Sequence, residues 1–405
     1  MRTRDQSPFG RGSGSGLVAR RPGARLSRRR LLAGLAALPP ASLLLAGLIA
    51  RAGRATGTAE GSSKGAALAD PGTSPTQPPA APVPTVLPDL ADVPVGSPGV
   101  LAGLWSAQEL AARPDEARIV RRRPDPSPPE PAALQKLAAQ PSTSAEPPPE
   151  GSIRRVQPVN EAKVVALTFD LCQRADDITG YDGAIVDVLR KERVAATFFA
   201  GGEWLRSHRE RALQLMADPL FQVGNHAWTH GNLRVLTGER AEAQVLWTQA
   251  EYAVLREELA KRAAAAGIDE AEMARVPPLP TAFRFPYGTC SADTLAMPRR
   301  FGLVAIQWDV ISGDAVRGQS AATVERAVVD GVRPGSIVVF HANGRGAGTA
   351  EALPKIIAGL RGRGYRFVTI ATLLKAGTPF SVAECYELRP HDNGRYDKLF
   401  GEGTG

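Results

Sequence analysis

Two histidines four residues apart, His226 and His230, have the type and spacing that metal binding requires. In a helical segment this spacing places both imidazole rings on one face. Both rings could then reach one cation, and imidazole suits zinc and the neighbouring transition metals. An H-x3-H pattern also arises by chance, with one histidine in a core hydrogen bond and the other facing solvent. The pair therefore needs a third ligand and catalytic groups from elsewhere in the chain.

The region that contains these histidines predicts strands that alternate with helices. An apolar run at 163–170 has the form of a buried parallel strand, and a helical pattern follows at 181–192. Further strands are predicted at 195–200, 221–224, 282–286, 303–308, 336–340 and 366–370, and further helices at 209–216, 239–265, 321–329 and 350–361. About seven strands over roughly 220 residues predict a parallel α/β sheet, open or closed into a barrel.

Five polar side chains fall at or just beyond the C-terminal ends of predicted strands: Asp170, His226, Tyr287, Asp309 and His341. This edge of a barrel or an open α/β sheet is where ligands and catalytic groups gather. The shared position therefore predicts one functional site rather than five separate polar residues in the core.

The positive charge of the chain is confined to its N-terminus. The first 30 residues hold nine arginines and one acidic residue, Asp5, which gives 9 − 1 = +8, the formal charge of the whole chain. The remainder is close to neutral, so a basic groove for nucleic acid is not indicated.

The N-terminal third predicts an export segment followed by a linker. Ser27-Arg28-Arg29-Arg30-Leu31-Leu32 precedes an apolar stretch to Ala50 and resembles a twin-arginine signal, although this stretch could also remain as a membrane anchor. Residues 1–52 are therefore predicted to direct the folded part of the chain to the periplasm, as a signal or as a membrane anchor. They are also predicted to be the only part of the protein that contacts the membrane. Residues 53–155 are rich in Pro, Ala, Gly and Ser and predict a disordered linker.

Four short motifs resemble, in order and spacing, those of the polysaccharide deacetylase family, which has the NodB-homology fold and includes carbohydrate esterase family 4. They are Thr168-Phe169-Asp170, the His226…His230 pair, Arg284-Phe285-Pro286-Tyr287 and Phe340-His341. The resemblance implies a distorted (β/α)7 barrel over 156–376, with a C-terminal tail at 377–405 whose role stays open. It also implies hydrolysis of N-acetyl groups on a sugar polymer by means of a divalent metal, commonly zinc.

The resemblance assigns the metal and the base to matching residues. His226 and His230 would be two of the metal ligands. Asp170 would be the general base that deprotonates a metal-bound water, whose pKa a metal lowers from about 16 towards ~7. Arg284 would orient this base and tune its charge.

The same resemblance implies roles in the later stages of the reaction for three more residues. The backbone N–H of Tyr287 would stabilise the oxyanion. His341 would be the general acid that protonates the departing amine, a role that suits a group titrating near neutral pH. Asp314 matches the aspartate that supports this histidine.

The sequence departs from the family pattern at the third metal ligand. The usual strand end reads T-F-D-D and its second aspartate coordinates the metal, whereas Leu171 occupies that position here. Asp176, Asp177 and Asp182 are candidate replacements, and their spacing does not choose among them. A second departure is Ala315, where the family often has a tryptophan that lines the sugar groove; Trp228 and Trp308 could serve instead.

The three cysteines allow one disulfide in an exported protein. Cys172 and Cys290 both follow strand ends on the same predicted face, and we hypothesise that they are bonded and hold the loop that carries the substitute ligand. Two free thiols, or a bond to Cys385, are the alternatives.

The expected function is removal of N-acetyl groups from a polymer of the cell envelope or an exopolysaccharide, with a carbohydrate partner and no nucleic acid. One alternative keeps the metal chemistry but acts on an O-acetyl ester or a small amide. Another is an inactive barrel that only binds glycan because it has lost the third ligand.

Overall fold

The computed structural model describes residues 96–139, 147–401 and 403. The predicted signal or anchor at 1–52 and the first part of the predicted linker lie outside these residues. Within the described ranges, no helix combines the length and apolar character that a membrane span requires.

One ten-stranded sheet forms the centre of the described structure. Its strands are Ser152–Pro158 (β1), Val164–Leu171 (β2), Ala196–Ala200 (β3), Phe221–Asn225 (β4), Ala282–Phe283 (β5), Val304–Ala305 (β6), Val310–Ile311 (β7), Ser336–His341 (β8), Arg366–Phe367 (β9) and Gly377–Val382 (β10).

The sheet is a distorted (β/α)7 barrel, as the family resemblance implies. Strands β2 to β6 pair in parallel in chain order, β8 pairs in parallel with β2, and β7 pairs in parallel with β8. A parallel bridge joins Ile306, just after β6, to Ile153 of β1, and β1 itself pairs antiparallel with β8. This bridge joins the β6 end of the sheet to β1 and so closes the barrel.

Helices lie in the segments before and between the strands and after the last one. They are Pro98–Leu104 (α1), Ala107–Leu110 (α2), Pro131–Ala138 (α3), Gly183–Lys191 (α4), Gly202–Ser207 (α5), Arg209–Ala217 (α6), Gly238–Ala265 (α7), Glu270–Ala274 (α8), Ala292–Arg300 (α9), Ala321–Gly331 (α10), Thr349–Gly362 (α11), Ile370–Lys375 (α12) and Arg395–Leu399 (α13). The five predicted helices correspond to α4, α6, α7, α10 and α11.

Strand β2 sets the orientation of the site because its side chains alternate between two hydrophobic clusters. Leu167, Phe169 and Leu171 pack in the large cluster that includes residues of α4 and α11. Val164 and Ala166 pack in the second cluster, with Phe199 and Ile337 of the neighbouring strands. The period of two places Asp170 on the same face as Val164 and Ala166. The direction of the Asp170 side chain therefore follows from the register of this strand.

Part of the predicted disordered linker is folded. Ser97 caps α1 through its hydroxyl, and Pro98 follows at the first helical position, which favours helix initiation. Val100 is fully buried in the large cluster, and the Glu116 carboxylate forms an ion pair with Arg211 of α6 at 2.8 Å. The prediction of disorder is wrong for 96–139 because a few apolar residues in a Pro- and Ala-rich segment dock onto the helical layer.

The disulfide joins Cys290 to Cys385, and Cys172 is a buried free thiol. The hypothesis of a Cys172–Cys290 bond is therefore wrong. The C-terminal segment folds back along the barrel, where β10 pairs antiparallel with β1, and this brings Cys385 to the loop that follows β5. The tail at 377–405, for which the sequence suggests no role, thus contributes an edge strand and a covalent tie.

Loss of this disulfide is expected to lower the free energy of unfolding by about 2–5 kcal/mol, because the bond closes a loop 95 residues long in the unfolded chain. The Cys290→Ser/Cys385→Ser double variant should unfold at lower temperature than the wild type under oxidising conditions. Adding reductant should bring the wild type to the midpoint of the variant. Equal midpoints for both proteins without reductant would show that the bond does not stabilise the fold.

Candidate active site

Asp170 lies at the end of β2 and is held by a buried arginine. Its Oδ1 accepts a hydrogen bond from Arg284 Nη1 at 2.8 Å, and its Oδ2 lies 3.5 Å from His226 Nε2. Arg284 is fully buried, and its guanidinium also donates to the backbone oxygen of Gln307 at 3.2 Å and lies over the Phe199 ring. The arginine is fixed on several sides, so it determines where the carboxylate points.

His226 and His230 lie in the loop that follows β4, not on a helix. Ala227 and His230 both have positive φ, of 64° and 57°, which turns the chain sharply between the two histidines. The ring centroids are 4.9 Å apart. The two imidazoles therefore meet through a turn beyond the end of β4, where the sequence places His226, and not through helical spacing.

Neighbouring polar side chains determine the shape of this loop. The Asn225 Oδ1 accepts from the backbone N–H of Ala227 at 3.0 Å. Gln244 of α7 accepts from the backbone N–H groups of Thr229 and Gly231 at 3.0 and 3.3 Å. These hydrogen bonds offset the energetic cost of the positive φ angles in this loop, which are unfavourable for residues other than glycine.

His341 ends β8 and is oriented by Asp314. Its Nδ1 lies 2.9 Å from Asp314 Oδ1, and its backbone N–H donates to Asp314 Oδ2 at 2.7 Å. Thr349 donates its hydroxyl to the same Oδ2 at 2.7 Å. The aspartate therefore fixes the tautomer with the proton on Nδ1 and leaves Nε2 for the reaction.

Asp170 and His341 are register partners on adjacent parallel strands. Burial acts to raise the pKa of Asp170, but the charge and the hydrogen bond of Arg284 hold this pKa below its ordinary value. Burial acts to lower the pKa of His341, and Asp314 holds it above its ordinary value. The pair thus has the charge states of a base and an acid that work together near neutral pH.

The two loop histidines are held neutral. Burial lowers the pKa of both imidazoles, most strongly that of His230, where nearby His226 adds to the effect. His226 Nδ1 lies 3.0 Å from the backbone oxygen of Arg284, to which it donates. Neutral imidazole is the form that coordinates metals.

Buried nitrogens without a hydrogen-bond partner show that these residues fit a metal ion. Among the described side chains, His226 Nε2 and His230 Nδ1 are both buried and unpartnered. Leaving such atoms unpaired costs about 1–3 kcal/mol each. A divalent cation would satisfy both lone pairs, so the donor set suits the metal that the family resemblance implies.

The replacement aspartates do not join the histidine pair. Asp176 is paired with Arg174, Asp177 is paired with Arg345, and Asp182 is the N-cap residue of α4. Within the part of the chain that the structure describes, the group able to hold a metal is Cys172, His226 and His230, whose ligand atoms all lie within 4.8 Å of one another. The structure therefore does not support Asp176, Asp177 or Asp182 as the third metal ligand.

Cys172 was expected in a disulfide, and the structure places it at the site instead. Burial raises the pKa of its thiol to about 12, so the metal-free thiol is not a nucleophile at neutral pH. The signal for its location was the alternation of β2: if the strand extends through Leu171, residue 172 returns to the face of Asp170.

Tyr287 lies beside the histidines and is covered by the tail. Its ring is 4.2 Å from the His230 ring, and on another side it contacts the rings of Tyr396 and Phe400 at 4.9 and 4.6 Å. Its φ of 57° is a strained value for a residue other than glycine, as is common at functional sites. The contribution of the tail to this site had no signal in the sequence beyond Cys385.

Three other residues that the sequence suggested for the site do not have the expected roles. The Asp309 carboxylate accepts from the backbone N–H of Ile337 at 2.8 Å, near the start of β8 and therefore at the opposite end of that strand from His341. Trp228 and Trp308 are 1% and 6% exposed, too buried to offer a stacking surface to a sugar. Asp309 therefore lies away from the site, whereas the two tryptophans are buried next to it: Trp228 lies between His226 and His230 in the same loop, and Trp308 lies against the Arg284 guanidinium.

Comparisons with known proteins agree with this geometry. Residues 157–306 match the family model described as polysaccharide deacetylase. A peptidoglycan-N-acetylglucosamine deacetylase of Bacillus cereus is 30% identical over 220 residues, which cover 54% of this chain and 70% of the relative. A chitooligosaccharide deacetylase of Sinorhizobium fredii is 32% identical over 192 residues, 45% of this chain and 80% of the relative.

Among solved structures, the Bc1960 peptidoglycan N-acetylglucosamine deacetylase is 26% identical, with a TM-score of 0.46, and the match covers 56% of this chain and 93% of that one. The residues matched by the family model include Asp170, His226, His230 and Arg284. This chain belongs to the polysaccharide deacetylase family.

Proposed function

We propose that this protein is a metal-dependent hydrolase that removes N-acetyl groups from an N-acetylated glycan polymer of the cell envelope or an exopolysaccharide. The observation that carries the proposal is the pairing of Asp170 with His341 on adjacent strands, beside two buried and unpartnered histidine nitrogens. A barrel that only binds glycan has no chemical need for this arrangement. The names of the relatives support an N-acetylglucosamine unit as the substrate.

His226 and His230 would hold the metal. When bound, a divalent cation supplies polarisation of the acetyl carbonyl and acidification of a water molecule. Asp170 lies within reach of the same space, because its Oδ2 is 3.5 Å from His226 Nε2. The carboxylate accepts the proton of the attacking water, and Arg284 keeps it ionised and correctly oriented.

His341 completes the reaction by donating a proton to the departing nitrogen. It is the more accessible member of the acid–base pair, with 21% of its side chain exposed. Asp314 stabilises the protonated imidazole and holds its Nδ1–H, so that Nε2 faces the substrate. The backbone N–H of Tyr287 would stabilise the oxyanion of the tetrahedral state.

Acetate release from a panel of substrates tests this function. The purified protein should release acetate from N-acetylglucosamine oligomers or from peptidoglycan faster than from an O-acetylated xylan, and His226→Ala should abolish the release. Preference for the ester would identify an O-acetyl esterase. No acetate from any amide or ester, with folded and metal-loaded protein, would identify a glycan-binding barrel.

We also propose that the body acts outside the cytoplasmic membrane, directed there by the basic and apolar segment at 1–52. The Cys290–Cys385 disulfide supports this proposal, since such bonds persist in oxidising compartments. Fractionation of cells that express the full chain tests it: recovery only in the cytoplasm, with free thiols, contradicts export.

A further inference from the structure

The departure at Leu171 raises the question of which residue completes the metal site. Leu171 is fully buried in the large hydrophobic cluster, on the face of β2 that packs against the helices. Its side chain cannot reach the histidine pair, and it has no donor atom. The next residue, Cys172, returns to the face of Asp170, and its side chain is 4% exposed.

The Cys172 side chain is directed at the two histidines. Its Sγ and the ligand nitrogens of His226 and His230 lie within 4.8 Å of one another, and all three residues are buried. The histidine atoms His226 Nε2 and His230 Nδ1 have no hydrogen-bond partner. Three potential metal ligands thus lie around one space, and two of them have a buried nitrogen without a hydrogen-bond partner.

Asn343 holds the cysteine in this position. Its Nδ2 donates to the Cys172 sulfur at 3.0 Å and to the Cys172 backbone oxygen at 2.7 Å. The Thr179 hydroxyl donates to the same backbone oxygen at 2.9 Å. An N–H donor aimed at the sulfur fixes the direction of the side chain, as outer partners of metal ligands commonly do.

We propose that Cys172 is the third protein ligand, so that a thiolate replaces the carboxylate at the metal site of this protein. This inference rests on the proposed function for the presence of a metal. A Cys/His/His set is softer than a carboxylate with two histidines, and thiolate ligands select zinc over harder cations such as Mn²⁺. Three protein ligands leave a fourth position of a tetrahedral zinc site open for water or substrate, as catalysis requires.

Cobalt substitution tests the sulfur ligand directly. The Co²⁺ form of the full wild-type chain should show a thiolate-to-cobalt charge-transfer absorption in the near ultraviolet. The Cys290→Ser/Cys385→Ser variant is the matched control: it keeps Cys172 as its one cysteine and should keep this absorption. Cys172→Ser should bind cobalt without it.

Metal affinities, measured by competition with a chelator, give a second readout that does not depend on turnover. Cys172→Ala should weaken zinc binding by about 100-fold or more, beyond the 10–100-fold loss that follows removal of an outer partner. Cys172→Asp should still bind metal, with its preference for Zn²⁺ over Mn²⁺ reduced by at least about 10-fold.

The outcomes separate this inference from the proposed function. If the wild type binds cobalt and zinc through the histidines, so that His230→Ala loses both metals, but shows no charge-transfer absorption, Cys172 is not a ligand and only the inference fails. If the wild type binds neither metal, the metal dependence in the proposed function fails as well. The wild-type spectrum needs no variant, so it tests the sulfur ligand even if the Cys172 variants misfold.

Discussion

Asp170→Asn is expected to lower kcat/KM for deacetylation by about 10²–10⁴-fold, the usual contribution of a general base. The asparagine side chain can still accept the hydrogen bond from Arg284 but cannot take a proton from water. Metal content should be unchanged, because Asp170 is not part of the Cys172, His226 and His230 group. Steady-state kinetics and metal analysis of the same preparation check both statements.

The control for this variant is Asp309→Asn. Asp309 is also a buried aspartate that accepts hydrogen bonds, but it lies at the start of β8, away from the site. Its replacement should affect stability and leave kcat/KM within about twofold of the wild type, as a remote change does. If both variants lose activity equally, the effect of Asp170→Asn reflects damage to the barrel and not loss of the base.

Asp314→Asn is expected to reduce activity at neutral pH by about 10²-fold and to move the alkaline limb of the kcat/KM profile to lower pH. The general acid must be protonated, so activity falls as pH rises through the pKa of His341. Asp314 holds that pKa above its ordinary value, whereas burial lowers it. Without this carboxylate the largest effect that raises the pKa of His341 is lost and the smaller one of Asp170 remains, so His341 loses its proton at lower pH. The pH dependence of kcat/KM for both proteins checks the direction.

A double variant shows whether Asp314 acts through the histidine. His341→Gln should lower kcat/KM by about 10²–10⁴-fold, and adding Asp314→Asn should then cause little further loss, since residues that act as a unit are not additive. Losses that multiply in the double variant would indicate that Asp314 has a separate structural role. Thermal unfolding of each variant separates the two cases.

The acid–base residues could be predicted because β2 and β8 have regular patterns. Both predicted strands are apolar runs with a polar residue at or next to their C-terminal end, and parallel pairing then places Asp170 opposite His341. Asp314 and Arg284 required the family resemblance, because neither lies at a strand end that periodicity defines. The structure brings all four side chains to one edge of the barrel.

The positions of Asp309 and Cys172 were predicted wrongly because the predicted ends of two strands were wrong. Asp309 was expected at the end of a strand, but that strand is short, and a new strand begins immediately after this residue at Val310. The apolar run predicts that β2 ends at Asp170, whereas the strand continues through Leu171, and Cys172 was therefore not expected to lie beside the histidine pair. Side chains alternate between the two faces of a strand. An error of one residue in the predicted end of β2 therefore changes which side chains are expected to face the site.

Long-range contacts account for the remaining differences. Composition suggested disorder before Ser152, yet Val100 of α1 is fully buried beside the barrel. The pairing of Cys290 with Cys385 depends on the path of the tail along β1, which local sequence does not encode. Local patterns specified the alternating strands and helices, the family resemblance specified the barrel, and tertiary docking decided which segments cover it.

The most direct test of metal-dependent deacetylation is acetate release from N-acetylglucosamine oligomers by one preparation before chelation, after chelation and after return of one equivalent of zinc. Release should stop when the metal is removed and return when zinc is added, with about one metal ion bound per chain in the active states, as three protein ligands around one space imply. Metal-free protein that releases acetate at the original rate would contradict metal dependence, and fully loaded, folded protein that releases none would contradict deacetylation.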